Sequence, residues 1–239
     1  MLKGVILAGG LGTRLYPSTK NISKHLLQVG NEPMVFHSIK QLTFSGIKDI
    51  LIVTNPAHID DFKDVVGTGS QLCCKISYQI QQDAKGIAHA LALAEDFAKR
   101  ERIVVLLGDN IFESTIQTYI DDYNKQKHGA RVVVKKVIDP ERYGVANIKE
   151  NKIISIEEKP ENPHSSYAVI GLYFYDSEVF DIIRTIKPSS RGELEITSVN
   201  NVYIKQGKLE YSFLQGEWVD AGTHESLAIA HEMLLNRKE

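Results

Sequence analysis

The sequence of 239 residues contains few of the features that mark secreted or membrane proteins. It has only two cysteines, Cys73 and Cys74, and because adjacent cysteines rarely form a disulfide, a secreted disulfide scaffold is excluded. No run of about 18 or more apolar residues occurs, which excludes a transmembrane helix. The segment after Met1 reads directly as a strand, without the layout of a signal peptide. We therefore expect a cytoplasmic protein with no membrane partner.

The sequence also lacks an excess of charge of either sign. It contains 28 Lys and Arg against 30 Asp and Glu, a formal charge of −2. The densest basic spots, Lys135-Lys136 and Arg237-Lys238, are each only two residues long. A nucleic-acid-binding surface built on bulk positive charge is therefore disfavoured, and we expect no nucleic-acid partner.

Apolar runs alternate with amphipathic helical patterns in the first half of the chain. We predict strands over residues 3–8, 49–54, 75–80 and 103–107, and helices from Asn31 to Gly46, near residues 58–66 and after Gly86. Such a pattern is typical of a parallel sheet covered on both faces. Because ligands of these sheets bind at the carboxyl ends of the strands, the loops after Ala8, Ile80 and Leu107 should face one site.

The second half is richer in strands joined by short turns. We predict strands over residues 131–137, 145–148, 153–156, 167–175 and 209–214, with a hairpin turn at Asn151-Lys152. Helices are predicted over residues 177–186, 194–205 and 223–237. The fold class is therefore α/β, with three α/β/α layers, a mixed, mainly parallel sheet and an added β-rich lobe. We expect a single domain divided at about residues 130 and 222.

A glycine-rich segment, Gly9-Gly10-Leu11-Gly12-Thr13-Arg14, follows the first strand. Glycines there allow backbone N–H groups to approach an anion closely. The segment lacks the Lys and Ser or Thr of a P-loop, and Leu15 stands where a dinucleotide-binding fingerprint has its third glycine. It therefore indicates a phosphate-binding loop, with Arg14 and Lys24 as nearby cations, or else a tight turn with two solvated cations.

Three further segments place carboxylates after predicted strands. Asp109 follows the strand at 103–107, and Asp220 follows the strand at 209–214, so that both are candidates for Mg²⁺ binding. Glu158 and Lys159 follow the strand at 153–156, where they could hold sugar hydroxyls and a phosphate. Taken singly, each segment has an alternative interpretation: a plain turn for Asp109, a helix cap for Asp220 and a solvated charge cluster for Glu158-Lys159.

Taken together, these motifs resemble the sugar-1-phosphate nucleotidylyltransferases, most closely the short glucose-1-phosphate thymidylyltransferases. The resemblance covers nearly the whole chain and rests on eight segments in order: GGLGTRLYP (residues 9–17), SKHLL (23–27), GDNIF (108–112), ERYGVA (141–146), EEKP (157–160), YAVIGLYFYD (167–176), RGELEIT (191–197) and WVDAGT (218–223). It implies a Rossmann-like nucleotide-binding core over about 1–130, a sugar-binding part over about 131–222 and a C-terminal helix over 223–239. It also implies a homo-oligomer.

The reaction implied by the resemblance joins a nucleoside triphosphate to a sugar 1-phosphate, with Mg²⁺ as cofactor and without a covalent intermediate. The implied catalytic residues are Arg14, Lys24, Asp109, Lys159 and Asp220, with Asp109 and Asp220 as metal ligands. The implied nucleotide-binding residues are Gly9, Gly10, Gly12, Thr13, Arg14, Gln81, Gly86 and Asp109. The implied sugar-phosphate-binding residues are Asn110, Gly144, Glu158, Lys159, Val169 and Tyr173, supported by Arg191 and Trp218.

Base choice is expected to depend on Gln81 and on the backbone near Gly86. The Gln81 amide offers a donor and an acceptor, which match the imide edge of thymine or uracil. The sequence departs from longer relatives at His25 and Gln28 and in the segment from Gln81 to Gly86, so the same reaction with UTP or CTP is the alternative. A non-catalytic sugar-nucleotide sensor is the third hypothesis, disfavoured because the acids and cations are all present. Longer relatives carry a C-terminal extension that is tied to a regulatory nucleotide site.

Overall fold

Apolar runs form strands and amphipathic segments form helices in the computed structural model, which describes residues 2–236. The predicted basic pair Arg237-Lys238 and the end of the predicted last helix lie outside these residues. The described strands are β1 (Leu2–Leu7), β2 (Gln28–Val29), β3 (Glu32–Pro33), β4 (Asp49–Thr54), β5 (Lys75–Ile80), β6 (Arg102–Leu107), β7 (Asn110–Phe112), β8 (Ala130–Lys136), β9 (Gly144–Lys149), β10 (Lys152–Glu158), β11 (Tyr167–Tyr175), β12 (Leu209–Phe213) and β13 (Trp218–Asp220). The described helices are α1 (Met34–Phe44), α2 (Ile59–Val66), α3 (Ile87–Ala92), α4 (Glu95–Ala98), α5 (Gln117–Lys125), α6 (Glu178–Thr185), α7 (Ile196–Lys205) and α8 (His224–Leu235). Of the helices within residues 2–236, none is both long and apolar enough to cross a membrane.

The chain divides into two compact units, each assembled from segments that are distant in sequence. The first unit contains residues 3–84, 106–118 and 215–236. The second unit contains residue 2, residues 85–105 and residues 119–214. Strand β6 contributes its last two residues to the first unit and the rest to the second.

The first unit contains a parallel ladder whose strands end at one edge. β1 pairs with β4 and β4 with β5, both in parallel, and the residues of β1 and β4 are largely buried. At the carboxyl ends, the Gly108 N–H donates to the carbonyl of Leu7 (3.0 Å) and the Gln81 N–H to that of Thr54 (2.7 Å). The prediction that the loops after β1, β5 and β6 share one edge is confirmed.

Two short antiparallel ladders complete the first unit. β7 pairs with β13, which places Asp220 opposite Asn110, and β2 forms a hairpin with β3. Helix α8 packs on a buried cluster that includes Val29, Met34 and Ile111. The apolar side of the predicted C-terminal helix therefore covers the core of its own unit.

The predicted start of the first helix was wrong. Gly30, at φ +65°, and Asn31 form the tight turn of the β2–β3 hairpin instead of a helix cap. α1 begins at Met34, whose N–H donates to the carbonyl of Leu27 (2.9 Å). The predicted end is confirmed, since Gly46 follows the helix at φ +80°, a conformation that favours glycine.

The second unit contains most of the antiparallel pairing. β11 pairs antiparallel with both β8 and β9, β9 forms a hairpin with β10, and β12 pairs with β8 in parallel. In the hairpin, Glu150 and Asn151 have positive φ, so the turn lies one residue earlier than predicted. The predicted mixture of a parallel ladder with a β-rich part is confirmed.

Two helical features of the second unit were not predicted. α5 buries Tyr119, Ile120 and Tyr123 along one side. The single helix expected after Gly86 is two short helices, α3 and α4, with Ala94 as the residue before the second.

Gly129 and Gly207 offer a matched test of packing in the second unit. Both have positive φ, but a Cβ on Gly129 would lie 2.2 Å from the Lys208 carbonyl oxygen, whereas nothing lies within 4 Å of one on Gly207. We expect Gly207→Ala to lower the free energy of unfolding by about 1 kcal/mol, the cost of the left-handed backbone. Gly129→Ala should cost about 2 kcal/mol more, because the Lys208 oxygen also accepts from Ala130 and cannot withdraw. Guanidinium unfolding of both variants measures the difference, and equal losses would contradict the packing argument.

Candidate active site

The glycine loop after β1 lies beside a buried lysine. Gly12 has φ +65°, and Thr19 Oγ1 donates to its carbonyl (2.7 Å), which fixes the loop before the short 3₁₀ turn Thr13–Leu15. A Cβ on Gly10 would lie 3.5 Å from Cε and 3.7 Å from Nζ of Lys24, so the ammonium group lies against the loop. Arg14 is exposed at the end of the loop. The loop and both cations thus occupy one region of the first unit.

Lys24 makes a buried ion pair with Asp109. The side chains of the two residues are 10% and 14% exposed, and Lys24 Nζ donates to Asp109 Oδ2. The other carboxylate oxygen, Oδ1, accepts from Asn110 Nδ2 (2.9 Å), and Trp218 Nε1 in turn donates to Asn110 Oδ1 (2.7 Å). Burial opposes ionisation of Asp109, but the charge of Lys24 and these hydrogen bonds outweigh it and hold the pKa of the carboxyl below its ordinary value.

Asp220 comes to the same place through the pairing of β13 with β7. It lies opposite Asn110 in the ladder, and the Ala221 N–H donates to the Asp109 carbonyl (2.8 Å). A Cβ on Gly222 would lie 2.8 Å from Arg14 Nη2 and 2.9 Å from Asp220 Oδ1. Arg14 and Asp220 therefore both reach into space that only glycine leaves open.

The donor set suits a divalent cation held partly by substrate. Within residues 2–236 no cluster of three or more His, Cys, Asp or Glu side chains could enclose a metal ion. Asp109 and Asp220 supply two carboxylates from neighbouring strand ends, and Mg²⁺ is commonly held by one or two carboxylates together with substrate phosphates. The residues present therefore fit such an ion.

Gln81 and Asn55 face the first residue of the glycine loop. Gln81 is 6% exposed, and its Oε1 would lie 2.7 Å from a Cβ on Gly9. Asn55 Nδ2 donates to the Gly9 carbonyl (3.4 Å). These three residues, with Leu11 and residues 56–57 and 82–84, line a cavity of about 380 Å³. Asn55 was not predicted as a site residue, although its place after β4 put it at the expected strand edge.

The second unit holds the predicted sugar-phosphate residues other than Asn110, which belongs to the first unit. Glu158 accepts a hydrogen bond from Thr197 Oγ1 and lies 3.5 Å from Arg191 Nη1. A Cβ on Gly144 would lie 3.0 Å from Thr197 Oγ1 and 3.6 Å from Glu158 Oε2, so this glycine keeps the carboxylate accessible. Lys159 follows at φ +43°, its N–H donating to the Tyr143 carbonyl (3.0 Å). The sequence analysis identified the segment RGELEIT, which ends at Thr197, but it assigned no role to the Thr197 hydroxyl.

Val169 and Tyr173 are buried on β11 where its pairing is irregular. Val169 pairs with Val134 and Tyr173 with Val132, so the pairing advances by four residues along β11 but by only two along β8. Irregular pairing of this kind redirects side chains near functional sites.

Gly86 also lies in the second unit, at φ +100°, where a Cβ would lie 2.5 Å from the Leu194 carbonyl oxygen. The predicted residues are thus gathered in two groups. One group, in the first unit, contains Gly9–Arg14, Lys24, Gln81, Asp109, Asn110 and Asp220. The other, in the second unit, contains Gly86, Gly144, Glu158, Lys159, Val169 and Tyr173.

Comparison with known proteins gives consistent matches over the whole length. The sequence matches the nucleotidyl transferase family over residues 3–237. It is 45% identical over 231 residues to the glucose-1-phosphate thymidylyltransferase of Neisseria meningitidis, covering 95% of this chain and 80% of that protein. It is 40% identical over 237 residues to the enzyme of the same name from Mycobacterium tuberculosis, covering 98% and 82%.

Solved structures agree. A Bacillus anthracis protein, solved in complex with sucrose as a proposed glucose-1-phosphate thymidylyltransferase, superposes with a TM-score of 0.94 at 51% identity, covering 100% of this chain and 96% of that one. A UDP-glucose pyrophosphorylase complexed with UDP-glucose superposes with a TM-score of 0.87 at 25% identity, covering 100% of both chains.

His25, next to Lys24, is buried and gives the unit a pH-dependent stability. Burial and the nearby charge of Lys24 lower its pKa to about 3, while its Nδ1 lies 3.1 Å from Ser23 Oγ. The unfolded chain takes up a proton on this histidine below about pH 6.5, and the folded protein does not until about pH 3. The free energy of unfolding therefore falls as the pH is lowered through this window, by about 2 kcal/mol at pH 5 from this residue alone.

We expect His25→Gln to remove this contribution. Urea unfolding at pH 8 and pH 5, in EDTA, should show the unfolding free energy of the unaltered protein falling by about 2 kcal/mol more than that of the variant. The variant His164→Gln, at an exposed histidine, provides the control. An identical pH dependence in all three proteins would show that His25 takes up its proton in the folded state.

Proposed function

Because the chain belongs to the nucleotidyl transferase family, we propose that it transfers a thymidylyl group from dTTP to glucose 1-phosphate, giving dTDP-glucose and pyrophosphate. The observation that carries this proposal is the buried Lys24–Asp109 pair beside the glycine loop, with Asp220 at the neighbouring strand end. The relatives named above bear the same activity in their names at 40–45% identity. dTTP and sugar phosphates are cytoplasmic metabolites, which supports a cytoplasmic location.

The proposed chemistry is an in-line displacement at phosphorus. An oxygen of the sugar phosphate attacks the α-phosphorus of dTTP, and the bond from that phosphorus to the pyrophosphate oxygen breaks. Since both reactants are anionic, catalysis consists mainly of positioning and charge neutralisation. The backbone N–H groups of Gly9–Thr13 and the cations Arg14 and Lys24 would hold the triphosphate and the departing pyrophosphate. Mg²⁺ bound at Asp109 and Asp220 would neutralise charge on the α-phosphate.

The second unit supplies the proposed sugar-phosphate contacts. Glu158, held by Thr197 and Arg191, presents a carboxylate suited to accepting hydrogen bonds from sugar hydroxyls. Lys159, the next residue, would bind the sugar phosphate, and Val169 and Tyr173 would pack beside the sugar ring. Gly144 leaves the room that a ring needs near Glu158.

The cavity at Gly9, Asn55 and Gln81 is the proposed base site. An amide presents both a donor and an acceptor, which matches the imide edge of thymine. Uracil has the same edge and lacks only the methyl group, whose contact is worth about 1 kcal/mol. The similarity to a UDP-glucose pyrophosphorylase makes UTP the alternative nucleotide.

A homo-oligomer is the proposed assembly. The family resemblance supports it, and Phe44, Ile229 and Leu235 are exposed apolar side chains of the first unit that a second copy would cover.

The first prediction of this proposal concerns nucleotide choice. Purified protein with Mg²⁺ and glucose 1-phosphate should release pyrophosphate fastest, by kcat/KM, with dTTP and about fivefold more slowly with UTP. ATP, GTP and CTP should give little release, and omission of the sugar phosphate should abolish it. If UTP or CTP gives the highest kcat/KM, the proposed reaction stands but the assigned nucleotide is wrong. If no nucleotide gives pyrophosphate release that depends on the sugar phosphate, the non-catalytic sensor is favoured.

The second prediction concerns the charged groups. Asp109→Asn and Lys159→Ala should each lower kcat by about 10²–10³, the usual cost of one lost transition-state contact. The matched controls are Asp122→Asn and Lys152→Ala, which alter exposed or half-buried charges of the second unit that are not assigned to the site. If kcat of either site variant stays within a few-fold of that of the unaltered protein, the residue replaced in that variant has no catalytic role.

A further inference from the structure

Each of the two proposed metal carboxylates lies beside a side-chain cation. Asp109 is paired with Lys24, and Asp220 lies near Arg14 across the space that Gly222 leaves open. The cations are the same two side chains that would hold the triphosphate. The two side chains that would bind phosphate therefore lie next to the two carboxylates that would bind the metal.

Each oxygen of the Asp109 carboxylate already accepts a hydrogen bond. Lys24 Nζ donates to Oδ2, and Asn110 Nδ2 donates to Oδ1 at 2.9 Å. The pair is largely buried, so solvent screens the charge of Lys24 only weakly. A divalent cation approaching Oδ2 would meet this ammonium group at close range and be repelled.

Arg14 is the cation near Asp220. Its Nη2 and the Asp220 Oδ1 would lie 2.8 and 2.9 Å from the same point, the position of a Cβ on Gly222. This guanidinium belongs to an exposed residue that can move without disturbing the core. It places a positive charge near the Asp220 carboxylate.

We propose that Lys24 and Arg14 shield Asp109 and Asp220 from free divalent cations, and that a triphosphate opens the site to metal by drawing both side chains onto itself. The inference rests on the proposed function, since it takes these two acids as the metal ligands. Metal and triphosphate binding are then coupled, and each strengthens the other by the same factor. The site discriminates in favour of the metal–triphosphate complex over either component alone.

The test is the binding of Mn²⁺ to the protein without nucleotide, followed by the electron paramagnetic resonance signal of free Mn²⁺. Lys24→Met removes the charge and keeps much of the side-chain length, and Arg14→Met does the same at an exposed position where folding is not at risk. Both variants should bind Mn²⁺ about tenfold or more tightly than the unaltered protein. Lys20→Met, at an exposed lysine between them in sequence, should leave Mn²⁺ binding unchanged.

Asp109→Asn added to Lys24→Met should abolish the gain, which ties the bound ion to this carboxylate. Equal Mn²⁺ affinity in the unaltered protein and both single variants would overturn the proposal, and so would a complete lack of binding in all of them. Pyrophosphate release by the unaltered protein, measured on the same preparation, keeps the two hypotheses apart. If the unaltered protein turns over but the variants bind Mn²⁺ no more tightly than it does, the shielding alone is overturned. If the variants bind Mn²⁺ more tightly but the unaltered protein shows no turnover, the thymidylyltransferase assignment alone is overturned.

Discussion

A carboxylate shielded from water needs a counter-charge, and the position of Asp109 requires that Lys24 supply one. This requirement explains why the segment after the glycine loop turns back toward the end of β6. Ser23 caps the short turn that carries Lys24, and Gly108 leaves room for the His25 ring, which would lie 2.9 Å from a Cβ there. Asn110 and Trp218 then fix the second oxygen of the carboxylate. The geometry of the first unit's site follows from the neutralisation of one buried charge.

The two units contribute different kinds of chemistry. The first presents glycine backbone, two cations and two carboxylates, which suit a triphosphate and a divalent ion. The second presents Glu158 held by a hydroxyl and a guanidinium, followed by Lys159, which suit a polyol bearing one phosphate. Thr197 and Arg191 matter here because they hold the Glu158 carboxylate in place without consuming all of its acceptor positions.

Sequence patterns predicted those parts of the fold where long apolar runs decide the structure. β4, β5 and β11 have the predicted bounds, since each is a run of six or more residues that is bounded by turns. The three-residue strands β7 and β13 were missed because a period of two cannot be read from so few residues. α5 was missed although Tyr119, Ile120 and Tyr123 have helical spacing, because its remaining positions are polar and lack a clear cap.

The candidate site was predictable as a set of residues but not as a set of contacts. The order of the motifs along the chain identified four candidate site residues: Arg14, Lys24, Asp109 and Asp220. Lys24 pairs with Asp109 across 85 positions of sequence. The approach of Arg14 to Asp220 at Gly222 depends on the pairing of β13 with β7, whose partner residues are more than 100 positions apart. Local sequence carries no signal for such pairing. Asn55 follows β4 at the expected strand edge, but its hydrogen bond to Gly9 joins two different strand ends and could not be read from the sequence.

The pairing of β13 with β7 has a consequence for the order in which the chain can fold. The first unit is interrupted twice, and the whole of residues 119–214 is made before the segment that carries Asp220. During synthesis, β7 therefore lacks its partner strand until β13 has been made. The second unit lies mostly within residues 119–214 and can already form by then. Only when the ribosome has released the chain past residue 222 can Asp220 take its place opposite Asn110. A nascent chain that stops short of this point has the glycine loop, Lys24 and Asp109, and lacks the second carboxylate.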